Sequence, residues 1–342
     1  MKRLAAACGA AALAAVMMAG VPAFAQDMPG KGRTIQYSQG DSFGGNYVAT
    51  QIVMAAMKRL GYEVKLTTMN TTLFFQAVAQ GDEDLATDVN FPQRELAFRA
   101  VQKDAQIVGT GMIVGGGING YLIDKKTADA YKITNLAQLK DPKLAALFGS
   151  DGKAQLISCD PGWSCGDVVD FQLRKFGLQD TVRAVRGKYE ALMVDTVARI
   201  KQGKPAFFYA WSPSWTVSSL VPGKDVVWLP TPEAALPPNM PNSGSPLVSG
   251  VKGCAGDADP CRMAMASWNW GAVGNRGFIA ANPAIRSLIE QIKFPSTTWS
   301  AWEYAISRKG GSQALIMQLA GDWMAGNKAQ LDQWITVASQ AK

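Results

Sequence analysis

The residues with the clearest chemical potential are two close pairs of cysteines, Cys159/Cys165 and Cys254/Cys261. Such pairs can form disulfides, bind zinc or carry out thiol redox chemistry. Zinc sites draw on histidines or on four converging thiolates, but the sequence contains no histidine and its two pairs are far apart. The fifth cysteine, Cys8, lies in the first 25 residues, which read as an export signal and are removed. The four that remain are closely spaced in an exported chain, which predicts two disulfides and no metal or other cofactor. A thiol oxidoreductase at Cys159/Cys165 is the alternative.

All ten tryptophans lie at or after position 163, and two sites among them differ from ordinary core positions. Trp163 lies in the loop CDPGWSC (159–165), between a predicted strand and a predicted helix. Trp211 and Trp215 lie in WSPSW, just past the predicted strand PAFFYA. Ligands of open α/β sheets bind at the carboxyl ends of strands. We therefore expect both loops to direct indoles to the same edge of a sheet.

Such a site suits a small zwitterion. Indole faces attract cations, above all quaternary ammonium groups. The backbone N–H groups of Ser164, Cys165 and Gly166 open the predicted helix and form an anion site. A zwitterion with a methylated ammonium group and a carboxylate matches both the indole faces and the backbone N–H groups. The alternative is that Trp163 packs against the disulfide.

Two motifs of the sequence match enzyme or nucleotide signatures without their required context. GDSFG (40–44) fits the nucleophile pattern G-x-S-x-G, but a serine hydrolase needs an imidazole and only a serine–lysine variant remains. We expect a turn in which Asp41 or Ser42 caps the next helix. GGGING (115–120) runs into a strand-like segment and not a helix, so we interpret it as a hinge-like or close-packing glycine run. We do not expect an enzyme.

The elements that must position these residues alternate between strand and helix. Residues 34–38, 44–60 and 63–69 read as a strand, a helix and a strand, which form a β-α-β unit. The same pattern restarts at residue 154, so the fold class is α/β with helices on both faces of the sheets. Residues 230–262 are rich in Pro, Gly, Ser and Asn and predict a surface excursion. The remaining residues are mostly helical.

The first 25 residues read as an export signal. A charged start and an alanine-rich apolar run end in Ala23-Phe24-Ala25, which predicts cleavage after Ala25. A membrane anchor is the alternative. The net charge of +7 is small for 342 residues, and the basic residues are scattered, so we expect no nucleic-acid partner. We expect an exported, soluble protein.

Three ordered stretches resemble a known family. Residues 120–148, the loop 159–165 and residues 203–229 are similar to the periplasmic glycine betaine/proline betaine-binding proteins of osmoprotective ABC transporters. The resemblance is clear over 120–230, weaker over 29–119 and loose beyond.

The resemblance implies a two-lobed Venus-flytrap fold, each lobe a mostly parallel sheet flanked by helices. The expected divisions are a signal (1–25), the first part of lobe 1 (26–119), lobe 2 (120–271) and a return to lobe 1 (272–342). It also implies a periplasmic monomer that delivers its ligand to an ABC permease in the inner membrane. The alternative is the same fold with a sugar, an amino acid or a choline-like ligand.

The resemblance also implies site residues. Trp163 and Trp211 match two tryptophans of the family's aromatic cage, and Ser164 and Cys165 match its amide donors to the carboxylate. Cys159–Cys165 matches the family disulfide.

The family's remaining ligand residues differ in this chain. Phe91 stands where the family has a third cage tryptophan, and Arg94 takes the place of a carboxylate-binding histidine. An arginine can bind a carboxylate with two N–H groups and stays charged at any pH. Any extra indole must come from Trp268 or Trp270 in the returning segment. Further candidates for ligand contact are the side chains of Trp215, Trp270 and Ser42.

Overall fold

The computed structural model of the protein describes residues 28–149, 151–238, 240 and 245–342. The expected signal (1–25) and its cleavage site after Ala25 lie outside the described residues. The strands are β1 (Thr34–Gln39), β2 (Glu63–Thr68), β3 (Leu85–Phe91), β4 (Ala105–Val108), β5 (Ile113–Val114), β6 (Ile118–Asp124), β7 (Ala154–Ile157), β8 (Val182–Val185), β9 (Phe207–Ser212), β10 (Val226–Leu229), β11 (Leu247–Val248), β12 (Cys261–Arg262), β13 (Asn269–Asn275) and β14 (Phe294–Pro295).

Helices separate most of these strands, as the sequence pattern predicted. They are α1 (Gly45–Arg59), α2 (Thr71–Gln80), α3 (Glu95–Val101), α4 (Lys125–Tyr131), α5 (Pro142–Ala145), α6 (Ser164–Lys175), α7 (Tyr189–Lys201), α8 (Trp215–Ser219), α9 (Arg276–Ala281), α10 (Pro283–Gln291), α11 (Ser296–Lys309), α12 (Gln313–Gly326) and α13 (Lys328–Ser339). Over the described ranges, no helix combines the length and apolar character needed to cross a membrane.

The strands form two five-stranded sheets, one for each lobe. The first has the order β2-β1-β3-β13-β4 and the second the order β10-β6-β9-β7-β8. In the first sheet, β13 runs antiparallel to both of its neighbours. In the second, β6 runs antiparallel to both of its neighbours. The α/β prediction is confirmed, and each mostly parallel sheet contains one reversed strand.

The chain passes from the first sheet to the second before β6 and returns to the first sheet before β13. Each reversed strand is therefore the strand with which the chain enters a sheet after leaving the other. β6 lies wholly in the second sheet, and β13 lies wholly in the first. The expected divisions at 119/120 and 271/272 fall inside these two strands. We therefore propose that the lobes meet at residues 115–117 and 263–268, slightly before the positions expected from the sequence.

The glycine run at the first crossing is a close-packing site. A Cβ on Gly117 would lie 2.4 Å from the indole of Trp268, and one on Gly116 would lie 2.7 Å from the Trp268 carbonyl oxygen. Side chains cannot be accommodated at these distances. The interpretation of GGGING as a packing motif is confirmed.

The C-terminal helices complete the core of the first lobe. Four buried tryptophans surround Phe294, with ring centroids between 5.1 and 6.2 Å from its own. These tryptophans are Trp299, Trp302, Trp323 and Trp334. Aromatic rings at this separation add to the stabilisation that burial alone provides. Most of the late tryptophans are therefore structural, as expected.

Both predicted disulfides are present. Cys159–Cys165 closes the loop before α6, and Cys254–Cys261 closes the excursion between β10 and β13. Their Cα atoms lie 6.2 and 5.9 Å apart. The excursion also contains the short antiparallel pair β11–β12. Four of the five cysteines thus serve as scaffold, which argues against a thiol oxidoreductase.

The start of α1 is stabilised by a residue from the far end of the chain. Gly44 is its N-cap, and the Gly45 N–H donates to Glu303 Oε1 at 2.7 Å. The expectation that Asp41 or Ser42 caps α1 is wrong, because the helix begins after these residues and a remote carboxyl group accepts its first N–H.

Glu303 also connects elements of both lobes. The Trp299 side chain and the backbone of Trp215 in α8, which follows β9 of the second sheet, lie close to the same carboxyl group. Glu303 is 3% exposed, and burial raises its pKa to about 7.

Glu303 predicts a pH dependence of stability. The folded protein retains the Glu303 proton to a higher pH than the unfolded chain. The contribution of the protonated carboxyl group to the free energy of unfolding is therefore complete below about pH 4.5 and is lost as the pH rises through about 7. Relative to Glu303→Gln, which cannot ionise, the wild type should lose up to about 3 kcal/mol of unfolding free energy between these limits. Urea unfolding of both proteins at pH 5 and pH 7.5 measures the difference. No imidazole titrates in this window because the chain has no histidine. Parallel curves for the two proteins would contradict the prediction.

Candidate ligand-binding site

A cavity between the two lobes brings together most of the residues singled out in the sequence. Both lobes contribute polar and aromatic side chains to it. Its lining consists of Asp41, Ser42, Thr71, Asp88, Asn90, Gln93, Arg94, Asn119, Trp163, Ser164, Cys165, Tyr209, Trp211 and Trp270. The resemblance implied six ligand residues, and all of them except Phe91 line this cavity. The further candidates Ser42 and Trp270 line it as well.

The two indoles of the second lobe are held in fixed directions. The rings of Trp163 and Trp211 lie 5.8 Å apart at an interplanar angle of 69°. Tyr189, at the start of α7, stacks on Trp211 with a centroid distance of 4.9 Å and an angle of 29°. The buried Tyr189 hydroxyl donates to the Tyr209 carbonyl oxygen at 2.9 Å. The two indoles thus present a corner of aromatic surface to the cavity.

The loop 159–165 positions both an indole and backbone donors. Trp163 is the N-cap of α6, so the N–H groups of Ser164 and Cys165 lie in the first turn, where no preceding turn accepts them. The Gly166 N–H instead donates to the Trp163 carbonyl oxygen at 3.1 Å. Asp160 attaches the loop to α7 by accepting the Tyr189 N–H at 2.7 Å. The loop therefore offers the indole face of Trp163 to a cation and the backbone N–H groups of Ser164 and Cys165 to an anion.

The third ring of the cavity comes from Trp270 and not from Phe91. Across β3 and β13, Asn90 pairs with Trp270, and Phe91 pairs with Asn269. Successive side chains of a strand point to opposite faces. Asn90 and Trp270 therefore share the cavity face, and Phe91 lies on the other face, where its ring packs edge-on against Phe98 at 5.9 Å. Trp270 therefore lines this cavity, and Phe91 does not.

The two remaining tryptophan candidates are structural. Trp268 is 2% exposed, and its Nε1 donates to the Ile118 carbonyl oxygen at 3.1 Å. Trp215 packs against the cores of both lobes, and its backbone lies close to the Glu303 carboxyl group. The WSPSW motif thus supplies one cavity indole, Trp211, and one packing residue.

Arg94 lines both this cavity and a second, neighbouring cavity. Its Nη2 donates a long bond of 3.5 Å to the Gly162 carbonyl oxygen, across the cleft. Burial lowers the pKa of its guanidinium group, and the negative charges of Asp41 and Asp167 oppose this effect. Arginine stays protonated in proteins. Arg94 is therefore a fixed cation at one side of the cavity.

Asp88 explains the conformation of the GDSFG segment. Its Oδ2 accepts the Gly40 N–H and the Asn46 Nδ2–H, both at 2.8 Å. Burial raises the pKa of this carboxyl group, and the two hydrogen bonds oppose the increase. The segment is held as a loop that lines the cavity with Ser42.

Several cavity residues were not anticipated from the sequence, among them Asp88, Asn90, Gln93, Asn119 and Tyr209. Asn119 lies within the GGGING run, and Asn90 lies directly before Phe91. Their spacing alone carries no signal, because only the strand register places them beside the indoles.

Comparison with known proteins gives a family. Residues 34–326 match the family described as OpuAC, substrate binding domain of ABC-type glycine betaine transport system. The chain is 38% identical over 334 residues to the glycine betaine-binding periplasmic protein OusX of Dickeya dadantii, covering 96% of this chain and 97% of that protein. It is 36% identical over 330 residues to the glycine betaine/proline betaine-binding periplasmic protein of Escherichia coli, covering 93% and 94%.

Solved structures share the fold at low identity. The glycine betaine, L-proline-binding protein ProX of Borrelia burgdorferi has a TM-score of 0.68 at 14% identity, covering 90% of this chain and all of that chain. Lactococcal OpuAC, in its closed conformation with glycine betaine, has a TM-score of 0.64 at 16% identity, covering 89% and 99%. These chains support the two-lobed binding-protein fold. On the family match and the identities above, the chain belongs to the family of substrate-binding domains of ABC-type glycine betaine transport systems.

Proposed function

We propose that the protein binds glycine betaine or a related quaternary-ammonium zwitterion and delivers it to the permease of an ABC importer. The observation that carries this proposal is the meeting of Trp163, Trp211 and Trp270 with the first-turn N–H groups of α6 in one cavity. The family match and the named relatives support the same ligand class.

The two ends of the ligand have different requirements. A quaternary ammonium group has no N–H to donate, so indole faces are its most favourable partners, at about 0.5–2 kcal/mol for each ring. The carboxylate accepts from the N–H groups of Ser164 and Cys165 and pairs with the Arg94 guanidinium. Lobe closure excludes water, which strengthens both kinds of contact.

The setting of the protein follows from its relatives. They are periplasmic proteins by name, so we place this chain in the periplasm after cleavage at Ala25. It acts there as a monomer that docks to an inner-membrane permease. The family consists of substrate-binding domains, and the cavity serine, Ser42, lacks an imidazole because the chain has none. The protein is therefore not an enzyme.

Glycine betaine binding tests the proposal directly. Calorimetric titration should show one site per chain, and tryptophan fluorescence should shift because three indoles line the cavity. If glycine betaine, proline betaine, choline and sulfonium analogues all fail to bind, the ligand class is wrong.

Trp270→Ala and Phe91→Ala distinguish the two candidates for the third ring. Trp270→Ala removes a cage face and should weaken glycine betaine binding by about 1–3 kcal/mol, roughly 5- to 150-fold in Kd. Phe91→Ala should reduce stability but leave the Kd within about threefold, since Phe91 packs on the other face of β3. Calorimetry measures both values.

Tyr304→Ala, which removes a ring that is 56% exposed on α11, is the matched control and should leave the Kd unchanged. The reverse order, with Phe91→Ala weakening binding more than Trp270→Ala, would show that Phe91 supplies the third ring.

Arg94→Gln tests recognition of the carboxylate. Glycine betaine should bind about tenfold more weakly, because a charge-assisted hydrogen bond is lost. Choline carries the same trimethylammonium group without a carboxylate, so its Kd should be almost unchanged. Arg94→Lys, which keeps the charge without the planar fork, should fall between the two. Equal loss for both ligands would mean that Arg94 acts through its contact with Gly162 across the cleft.

A further inference from the structure

Two carboxamides of the cavity lie directly opposite two of its indoles. Asn90 pairs with Trp270 across β3 and β13, and Asn119 pairs with Trp211 across β6 and β9. Directly opposite residues of an antiparallel pair share a face, with Cβ atoms about 4.5–5.5 Å apart. Each lobe therefore contributes one indole with a carboxamide as its immediate neighbour.

The amide oxygens at this site are buried and unpaired. Asn90 Oδ1, Asn119 Oδ1 and Gln93 Oε1 have no hydrogen-bond partner among the described residues. Asn119 is 4% exposed and Gln93 is 8% exposed, and Gln93 uses its Nε2 to donate to Met265 Sδ at 3.0 Å. All three side chains line the ligand cavity. A buried acceptor without a donor is unfavourable, so these oxygens favour a group that donates to them.

A trimethylammonium group supplies no such donor. Its methyl groups offer only weak C–H contacts to oxygen. An ammonium that keeps one N–H, or a hydroxyl close to the ammonium, donates a full hydrogen bond to the same oxygens. A site with buried acceptors rejects an analogue that leaves them unpaired, and it does so more strongly than a purely apolar pocket does.

We propose that Asn90 and Asn119 determine the specificity of this site by selecting onium zwitterions that carry an N–H or O–H donor. The inference rests on the proposed function, because the same cavity holds the cation. The indoles bind the onium group, the α6 N–H groups and Arg94 bind the carboxylate, and the carboxamides bind the donor.

An aromatic cage alone predicts the opposite preference. Replacing one N-methyl group by hydrogen removes contacts with the rings and leaves a cation that is more strongly hydrated. A cage without acceptors therefore binds the trimethylated ligand more tightly. The order of affinities within a matched pair of ligands separates the two cases.

The experiment is calorimetric titration of the exported chain with two matched pairs. Glycine betaine and N,N-dimethylglycine differ by one methyl group against one N–H. γ-Butyrobetaine and carnitine share a trimethylammonium group and differ by a hydroxyl. In at least one pair, the donor-bearing ligand should bind about tenfold or more tightly, the ratio expected from one additional hydrogen bond. The pair that shows the preference identifies the donor as N–H or O–H.

Asn90→Leu and Asn119→Leu replace each carboxamide by an apolar group of similar shape. Each should reduce that preference, measured as the ratio of the two Kd values within a pair, to less than about threefold. Gln76→Leu makes the same exchange on the exposed side of α2 and should leave the preference intact. Thermal unfolding of each variant monitors its folding.

Three results would overturn the proposal. The wild type could bind the donor-free member of both pairs as tightly as its partner, which is measurable even if a variant does not fold. The preference could persist in both folded leucine variants, which would assign it to other groups. If no member of either pair binds, the proposed function fails together with the specificity; binding of glycine betaine without any donor preference refutes the specificity alone.

Discussion

The register of the reversed strand in each sheet is the constraint on which the rest of this structure depends. β6 and β13 each begin directly after a crossing between the lobes, and each pairs with a strand that ends at the cavity. The backbone hydrogen bonds within each sheet therefore align the residues that line the cavity. A slip of one residue in either pairing would turn the cavity side chains to the opposite face.

The two halves of the site are supported in different ways. In the second lobe, the Tyr189 ring, Asp160 and the Cys159–Cys165 disulfide fix one short loop and its neighbouring indole. In the first lobe, two buried carboxyl groups, Asp88 and Glu303, hold backbone N–H groups on either side of the segment 41–44. In the second lobe, ring stacking, a hydrogen bond and a disulfide therefore restrain the site. In the first lobe, buried hydrogen bonds restrain it.

Local sequence patterns were sufficient for the elements and for one half of the site. The alternation of apolar residues predicted the α/β class, and the strand–loop–helix context of Trp163 predicted both an indole and N–H donors. Contacts between residues far apart in the sequence could not be predicted from local patterns. Glu303 accepts the Gly45 N–H although the two residues lie near opposite ends of the chain, and no local pattern predicts that contact.

The third ring illustrates the same limit. Phe91 stands where the resemblance implies a third cage tryptophan, but a position in the sequence does not specify which face of the strand a side chain occupies. Trp268 and Trp270 are two residues apart in SWNWG, and they differ in role because one packs at the crossing and the other lines the cavity. The choice between them depends on neighbours that are distant in sequence.

The position of Arg94 has a consequence for binding in concentrated salt. At an ionic strength near 1 M, charges in open water are screened over about 3 Å. Arg94 lines both the cavity that holds the indoles and a neighbouring cavity, which Asp160 and Asp167 also line. Salt therefore weakens the attraction between these charges and the oppositely charged end of an approaching ligand, whereas contacts inside a closed cleft are shielded from mobile ions. Under the proposed function, rising ionic strength should slow capture of the ligand more than it weakens retention.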